Sequence, residues 1–180
     1  MNESEFWTII EEGGTQSKGD QKRQVKAVRK RLAQSSREEV LDFNCIFNQE
    51  LAAAYTWNLW GAAYLINGGC SDDGFHYFRG WLISLGRFAF DAAVHKPDTL
   101  ARLVDPKRSH YEFENLCSVA FQAWRELTGE EEMPHITAAH ADPVGERWDF
   151  DNDEQVKLRL PELARLYITE PKAPPRRSGK

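Results

Sequence analysis

The chain has 180 residues, 41% of them hydrophobic and 28% charged, which is enough for a sizeable core and excludes a collagen-like or disordered composition. A net charge of −5 argues against a general nucleic-acid binder. No apolar run approaches the roughly 18 residues of a membrane span, and Met1-Asn2-Glu3-Ser4-Glu5 lacks the basic and apolar regions of a signal peptide, so a cytoplasmic protein is expected.

Asn2 with Glu5 three residues on reads as a capping box opening a first helix, with Phe6, Trp7, Ile9 and Ile10 as its apolar face and Gly13-Gly14 as its stop. Residues 20–34 predict a second helix, with Val25, Val28 and Leu32 on one side and Lys22, Arg23, Lys26, Arg29 and Lys30 opposite. Residues 18–37 carry a net charge of +7, leaving −12 for the rest. That face is either a surface for phosphates or acidic partners, or a solvated counterweight to an acidic protein. No aromatic residue interleaves it, which weakens a single-strand-binding reading.

Ser35 or Ser36 caps the next stretch, with Glu38 and Glu39 favoured in its first turn by the helix dipole. Residues 37–66 follow helical spacing, and a break near Thr56-Trp57-Asn58 is expected to make two helices of them. Asn67-Gly68-Gly69 ends the second of these in residues that tolerate left-handed backbone. A central helix then runs from about Asp73 to Val94, capped by Asp72 or Asp73. Apolar residues cover most of its circumference, leaving a strip of His76, Gly80, Ser84, Arg87 and Asp91.

Lys96-Pro97-Asp98-Thr99 starts a short helix, residues 109–128 predict another, and a last one spans about Asp153 to Tyr167, kinked or split at Pro161. From residue 169 the chain reads as a disordered, basic, proline-rich tail. Strand signals are poor throughout. The expected architecture is all-α: one domain over 1–168, an orthogonal bundle of about six to eight helices around the central buried helix.

Arg79 is the oddest residue of the central helix, because it projects into the apolar sector. An unpaired buried charge is very costly, so a carboxylate is expected beside it, with Glu50, Asp72 and Asp91 as candidates. It is then either a structural ion pair or an arm reaching a pocket that receives an anion. Asp72 and His76, at i and i+4, would suit a divalent ion, but capping is the plainer account of the aspartates. His135 and His140 straddle a loop without metalloprotease spacing. Asp149, Asp151 and Asp153 fail as a calcium loop, because Glu154 stands where glycine is needed and Leu160 where Glu is needed. Walker, G-x-S-x-G and dinucleotide motifs are absent, so neither cofactor nor metal is predicted. Cys45, Cys70 and Cys117 contain no C-x-x-C pair and read as reduced thiols, Cys45 and Cys117 as buried ones.

Phe6-Trp7-x-x-Ile10, Leu59-Trp60-Gly61-Ala62-Ala63-Tyr64-Leu65-Ile66, Pro97-Asp98-Thr99-Leu100 and above all Asp72-Asp73-Gly74-Phe75-x-Tyr77-Phe78-Arg79-x-Trp81-Leu82 carry a resemblance. Over roughly residues 3–128 the chain resembles the bacterial family known as domain of unknown function 4240. The resemblance brings no activity. Similar domains sit beside a tryptophan-glycine-arginine module in larger bacterial proteins labelled as molybdate regulators, which implies binding or regulation.

The leading expectation is therefore a non-enzymatic binding or regulatory module for a protein or a small anionic ligand. Its site is a pocket at the start of the central helix, lined by Asp72, Asp73, His76, Arg79 and Arg87. The alternatives are an enzyme acting on a small anionic or nucleotide-like substrate, with His76 as acid–base, and nucleic-acid binding through the 20–34 helix.

Overall fold

The computed structural model describes residues 1–108, 110–134 and 142–168. The proline-rich tail and His135 and His140 lie outside them. Ten α-helices and one 3₁₀ turn make up the described residues: α1 Glu3–Ser17, α2 Gln21–Leu32, α3 Arg37–Ala53, α4 Trp57–Asn67, α5 Asp72–Ser84, α6 Arg87–His95, the 3₁₀ turn Pro97–Arg102, α7 Glu114–Cys117, α8 Val119–Thr128, α9 Asp153–Arg159 and α10 Pro161–Tyr167. The fold is all-α. The one β-type pairing among the described residues is an isolated bridge between Thr56 and Val144. Among the same residues, no helix is long and apolar enough to cross a membrane.

Local chemistry accounts for most boundaries. The Asn2 side chain accepts from the Glu5 amide while Glu5 reaches back to Asn2, so α1 opens on the expected capping box. Ser36 and Glu39 repeat the device on α3. Thr56 caps α4 after the anticipated break, and Gly68 closes it at φ 69°. Pro161 begins α10, dividing it from α9.

Four boundaries differ from the sequence reading, each for a physical reason. Gly13-Gly14 does not stop α1. A Cβ on Gly13 would lie 2.7 Å from Val28 Cγ2, so the pair is a close-approach seat for α2, and α1 ends at left-handed Lys18. The helix expected over 109–128 is short: residues 110–113 are not helical, and the Phe113 amide donates to the Tyr77 carbonyl at 2.9 Å. Asp72 and Asp73 do not cap α5. Ser71 does, through its Oγ and the Gly74 amide at 3.2 Å, and the two aspartates stand exposed in the first turn, where the dipole favours them.

The fourth difference is the largest. The helix expected over 73–94 is two helices, α5 and α6. Gly86 adopts φ 92° between them, a region glycine enters without steric cost. The cap comes from another helix: Glu11 on α1 accepts the Arg87 amide at 3.0 Å. Spacing within one segment could not show a carboxylate arriving from residue 11. The break also reorients α6, so that Phe88, expected on the apolar face, is 90% exposed.

One connected cluster of buried apolar side chains runs from Phe6 on α1 to Leu163 and Ala164 on α10. α5 contributes Phe75, Phe78, Trp81, Leu82 and Ile83 to it. The segment after residue 142 is pinned at its start, where Val144 exchanges backbone hydrogen bonds with Tyr55 and Trp57. Trp148 then lies against Gly61 on α4. This pinning brings residues 148–168 alongside the end of α4.

Candidate functional site

Arg79 is 8% exposed and has no carboxylate partner among the described residues. The expected acid is replaced by the end of a helix. Tyr55 donates its amide to Ala52 rather than to Leu51, which leaves the Leu51 carbonyl free in the last turn of α3. Arg79 Nη1 donates to that carbonyl at 2.5 Å, and Nε donates to Phe75 O at 3.3 Å. The negative end of the α3 dipole favours the cation there. The guanidinium also lies over two ring faces, 4.5 Å from Tyr55 and 4.9 Å from Phe75. Burial still disfavours its charged form and lowers its pKa.

The stacking does not end at Phe75. Trp60 stacks on Phe75 at 4.9 Å and 16°, Trp57 stacks on Trp60 at 5.5 Å and 7°, and Arg147 covers Trp57 at 5.1 Å. A column of rings closed by a cation at each end thus joins α5, α4 and the segment after residue 142.

The other predicted residues do not converge on one pocket. His76 is half-buried one turn before Arg79. Burial first, then the Arg79 charge, lower its pKa, against a smaller opposing pull from Asp73. Arg87 is engaged with a different set: Glu3 on α1 at 2.7 Å and Asp91 at 3.5 Å. Half-buried Glu50 also feels these charges. Its pKa is raised by burial and then by Glu3 and Asp91, with Arg87 opposing. Among the described residues no three His, Cys, Asp or Glu side chains gather as metal ligands. All three cysteines are free thiols and only partly buried. Burial, above all, pushes the Cys70 and Cys117 thiols up to about 12.

The lowered pKa of His76 carries a pH signature. The unfolded chain takes up this proton near the ordinary value of about 6.5, while the folded chain resists it until lower pH. His76 therefore favours folding above that value and ceases to as pH falls through the lower, folded value. The thermal midpoint is expected to fall between about pH 7 and about pH 5, and to fall less steeply in His76→Gln. Parallel profiles would show that His76 plays no part.

On α2, Lys22, Lys26 and Lys30 stand exposed at four-residue intervals, while Arg23 lies 3.8 Å from Asp20 and Arg29 lies 3.6 Å from Glu126. The basic face is real, and acids border it.

A cavity that spacing did not suggest lies elsewhere, between the end of α4, the 105–108 turn, the 150–153 segment and the end of α10. It holds about 620 Å³, and Tyr64, Asn67, Lys107, Arg108, Asp151 and Tyr167 are among its lining residues. A second hollow of about 650 Å³ shares Tyr64, Phe150 and Asp151 with it and adds Trp57 and Trp148. None of the five α5–α6 residues lines either hollow.

Two polar atoms on the first cavity's residues are buried without a hydrogen bond: Asn67 Nδ2 and Tyr167 OH. The Asn67 orientation is fixed, because its Oδ1 accepts the Tyr111 amide at 2.8 Å and the NH₂ must point the other way. Burial pushes the Tyr167 hydroxyl up to about 12, so it stays protonated. Tyr64 OH donates to Asp151 Oδ1 at 2.8 Å, and that bond raises the Tyr64 pKa. Each unpaired buried group costs about 1–3 kcal/mol. Sequence reading missed the set because its members lie up to about a hundred residues apart. The only local trace was the Asp149, Asp151, Asp153 repeat, which fails as a calcium loop and of which Asp151 and Asp153 supply the acidic side of this cleft.

A search of curated proteins and a search of solved structures each gave no match. The model of a family described as "Protein of unknown function (DUF4240)" matches residues 1–126. One wall of the cleft, through Tyr64, Asn67, Lys107 and Arg108, falls within that span, and the other falls after it. The match covers well over half of the 180 residues, and the chain belongs to the DUF4240 family.

Proposed function

We propose that the protein is a binding module whose ligand seats in the cleft between the end of α4, the 105–108 turn, the 150–153 segment and the end of α10. The observation that carries this reading is the pair of orphaned polar atoms, Asn67 Nδ2 and Tyr167 OH, on residues lining one cavity. A fold that leaves two such groups unpaired in one place forgoes stability, and a ligand supplying their partners recovers it. The five residues first singled out on α5 and α6 act in this reading as struts, with Arg79 holding the column that positions the 142–150 segment. Acid–base chemistry at His76 has less support, since neither hollow reaches it. Polyanion binding by α2 is likewise weakened by the acids beside Arg23 and Arg29.

Tyr167→Phe tests the reading, because it removes only the orphaned hydroxyl. The free variant is expected to keep or slightly raise the thermal midpoint, by the stability equivalent of up to about 1 kcal/mol. In a thermal-shift screen of amino acids, sugar phosphates, nucleotides and carboxylates, a compound that stabilises the wild type is expected to stabilise Tyr167→Phe less. If every stabilising compound acts equally on both proteins, the cleft is not the site.

A further inference from the structure

We propose that the ligand of this cleft is a nucleoside monophosphate, a planar nitrogen heterocycle carrying a phosphate. The inference rests on the cleft reading above and adds the chemistry of what fills it.

The cleft is polarised. Lys107 and Arg108 are adjacent in a turn that three hydrogen bonds hold: Lys107 N to Asp105 Oδ1 at 2.9 Å, Arg108 N to Asp105 O at 2.9 Å, and Asp105 N to the Tyr111 hydroxyl at 2.6 Å. Neither cation forms an ion pair among the described residues. Asp151 and Asp153 line the same cavity, and Asp153, in the first turn of α9, forms no ion pair among the described residues. A bare anion is attracted by one pair and repelled by the other, and a bare cation meets the reverse. A molecule satisfies both pairs if it has an anionic end and a separate end bearing N–H donors.

Aromatic surface supplies the third requirement. The Tyr64 and Phe150 rings both line the cleft, 5.5 Å apart at 49°, and Trp148, which lines the second hollow instead, supports Phe150 edge-on at 4.8 Å. Rings of this kind hold a flat heterocycle by its face, whatever its substituents. The amide and exocyclic amine edge of a base then has Asp153 as acceptor, and the phosphate has the Lys107 and Arg108 charges. Asn67 Nδ2, a donor, and Tyr167 OH, a donor and acceptor, remain for the sugar hydroxyls and the ester oxygen. A volume of about 620 Å³ lies within the range of roughly 300–1,000 Å³ that small-molecule sites occupy.

The test is isothermal titration of the whole chain with AMP, GMP, CMP and UMP, then with the nucleoside of any that binds and with inorganic phosphate. At least one nucleotide is expected to bind at least tenfold more tightly than its nucleoside and than phosphate. The double substitution Lys107→Ala and Arg108→Ala is expected to weaken it at least tenfold in a protein that stays folded by circular dichroism, with a small fall in thermal midpoint from the lost Arg108 contact with the Tyr111 ring, 4.7 Å away. Asp153→Asn is expected to change the ranking of the four bases. Binding of none of the four overturns the proposal, as does a nucleoside that binds as tightly as its nucleotide. Nucleotide binding unaffected by the double substitution also overturns it. If none of the four binds but a different compound stabilises the wild type more than Tyr167→Phe, the ligand class is wrong and the cleft reading stands.

Discussion

Arg79→Met is expected to lower the free energy of unfolding by about 2–4 kcal/mol, measured by urea denaturation at neutral pH. Methionine matches the bulk of the arginine stem but offers no donor. The Leu51 carbonyl, which Tyr55 does not reach, then stays buried and unpaired, at a cost of about 1–3 kcal/mol. Loss of the cation from the Tyr55 and Phe75 faces adds about 1–2 kcal/mol. Relief of the buried charge offsets part of this, because isolated buried ions are poorly solvated. The losses outweigh the relief, since the guanidinium has two carbonyls, two ring faces and a helix C-terminus around it. Arg79→Lys is expected to fall between the two proteins: an ammonium keeps the charge but lacks the planar fork. The result separates strut from site. A variant of unchanged stability that no longer binds ligand would make Arg79 a binding residue and contradict the strut role.

Gly61→Ala is expected to cost about 1–3 kcal/mol, a fall of roughly 2–4 °C in thermal midpoint for each kcal/mol in a chain of this size. In an exposed helix the same change would gain about 1 kcal/mol from propensity. The sign reverses because an alanine Cβ would lie 2.1 Å from Trp148 Cζ2 and 2.7 Å from Cη2. The indole must move, and it is 7% exposed and packed against Phe150. Since Phe150 lines both hollows, the variant is expected to weaken ligand binding as well as folding, with a red shift in tryptophan emission. Stability equal to or above the wild type would mean that Trp148 does not sit on α4.

The all-α class and most helix starts were legible because their causes are local. Asn2 with Glu5, Ser36 with Glu39, Gly68 and Pro161 each act within a few residues of the boundary they set. The features that escaped were set across the fold. Gly13-Gly14 looks like a stop but serves as a seat for Val28. Gly86 looks tolerable inside a long helix until Glu11 arrives to cap α6. Arg79 does demand a partner, but the partner is a carbonyl orphaned by the way α3 ends, which no residue type announces. The cleft was least legible of all. Asn67 read as a helix terminator and Asp151 as part of a failed loop, and both roles are compatible with the site they form together. The column of rings from Trp57 to Phe75 could not be read from spacing either, because its far end, Arg147, lies in a separate part of the chain.

The cleft as a binding site stands on the Asn67 amide. Amide proton and nitrogen resonances of the Asn67 side chain, monitored by NMR while a stabilising compound is added, report on the orphaned donor itself. A saturable shift of that NH₂ pair is expected, tracking the Lys107 and Arg108 backbone amides with one dissociation constant. Saturable shifts confined to α5 around His76 and Arg79, with the Asn67 side chain unmoved, would contradict it.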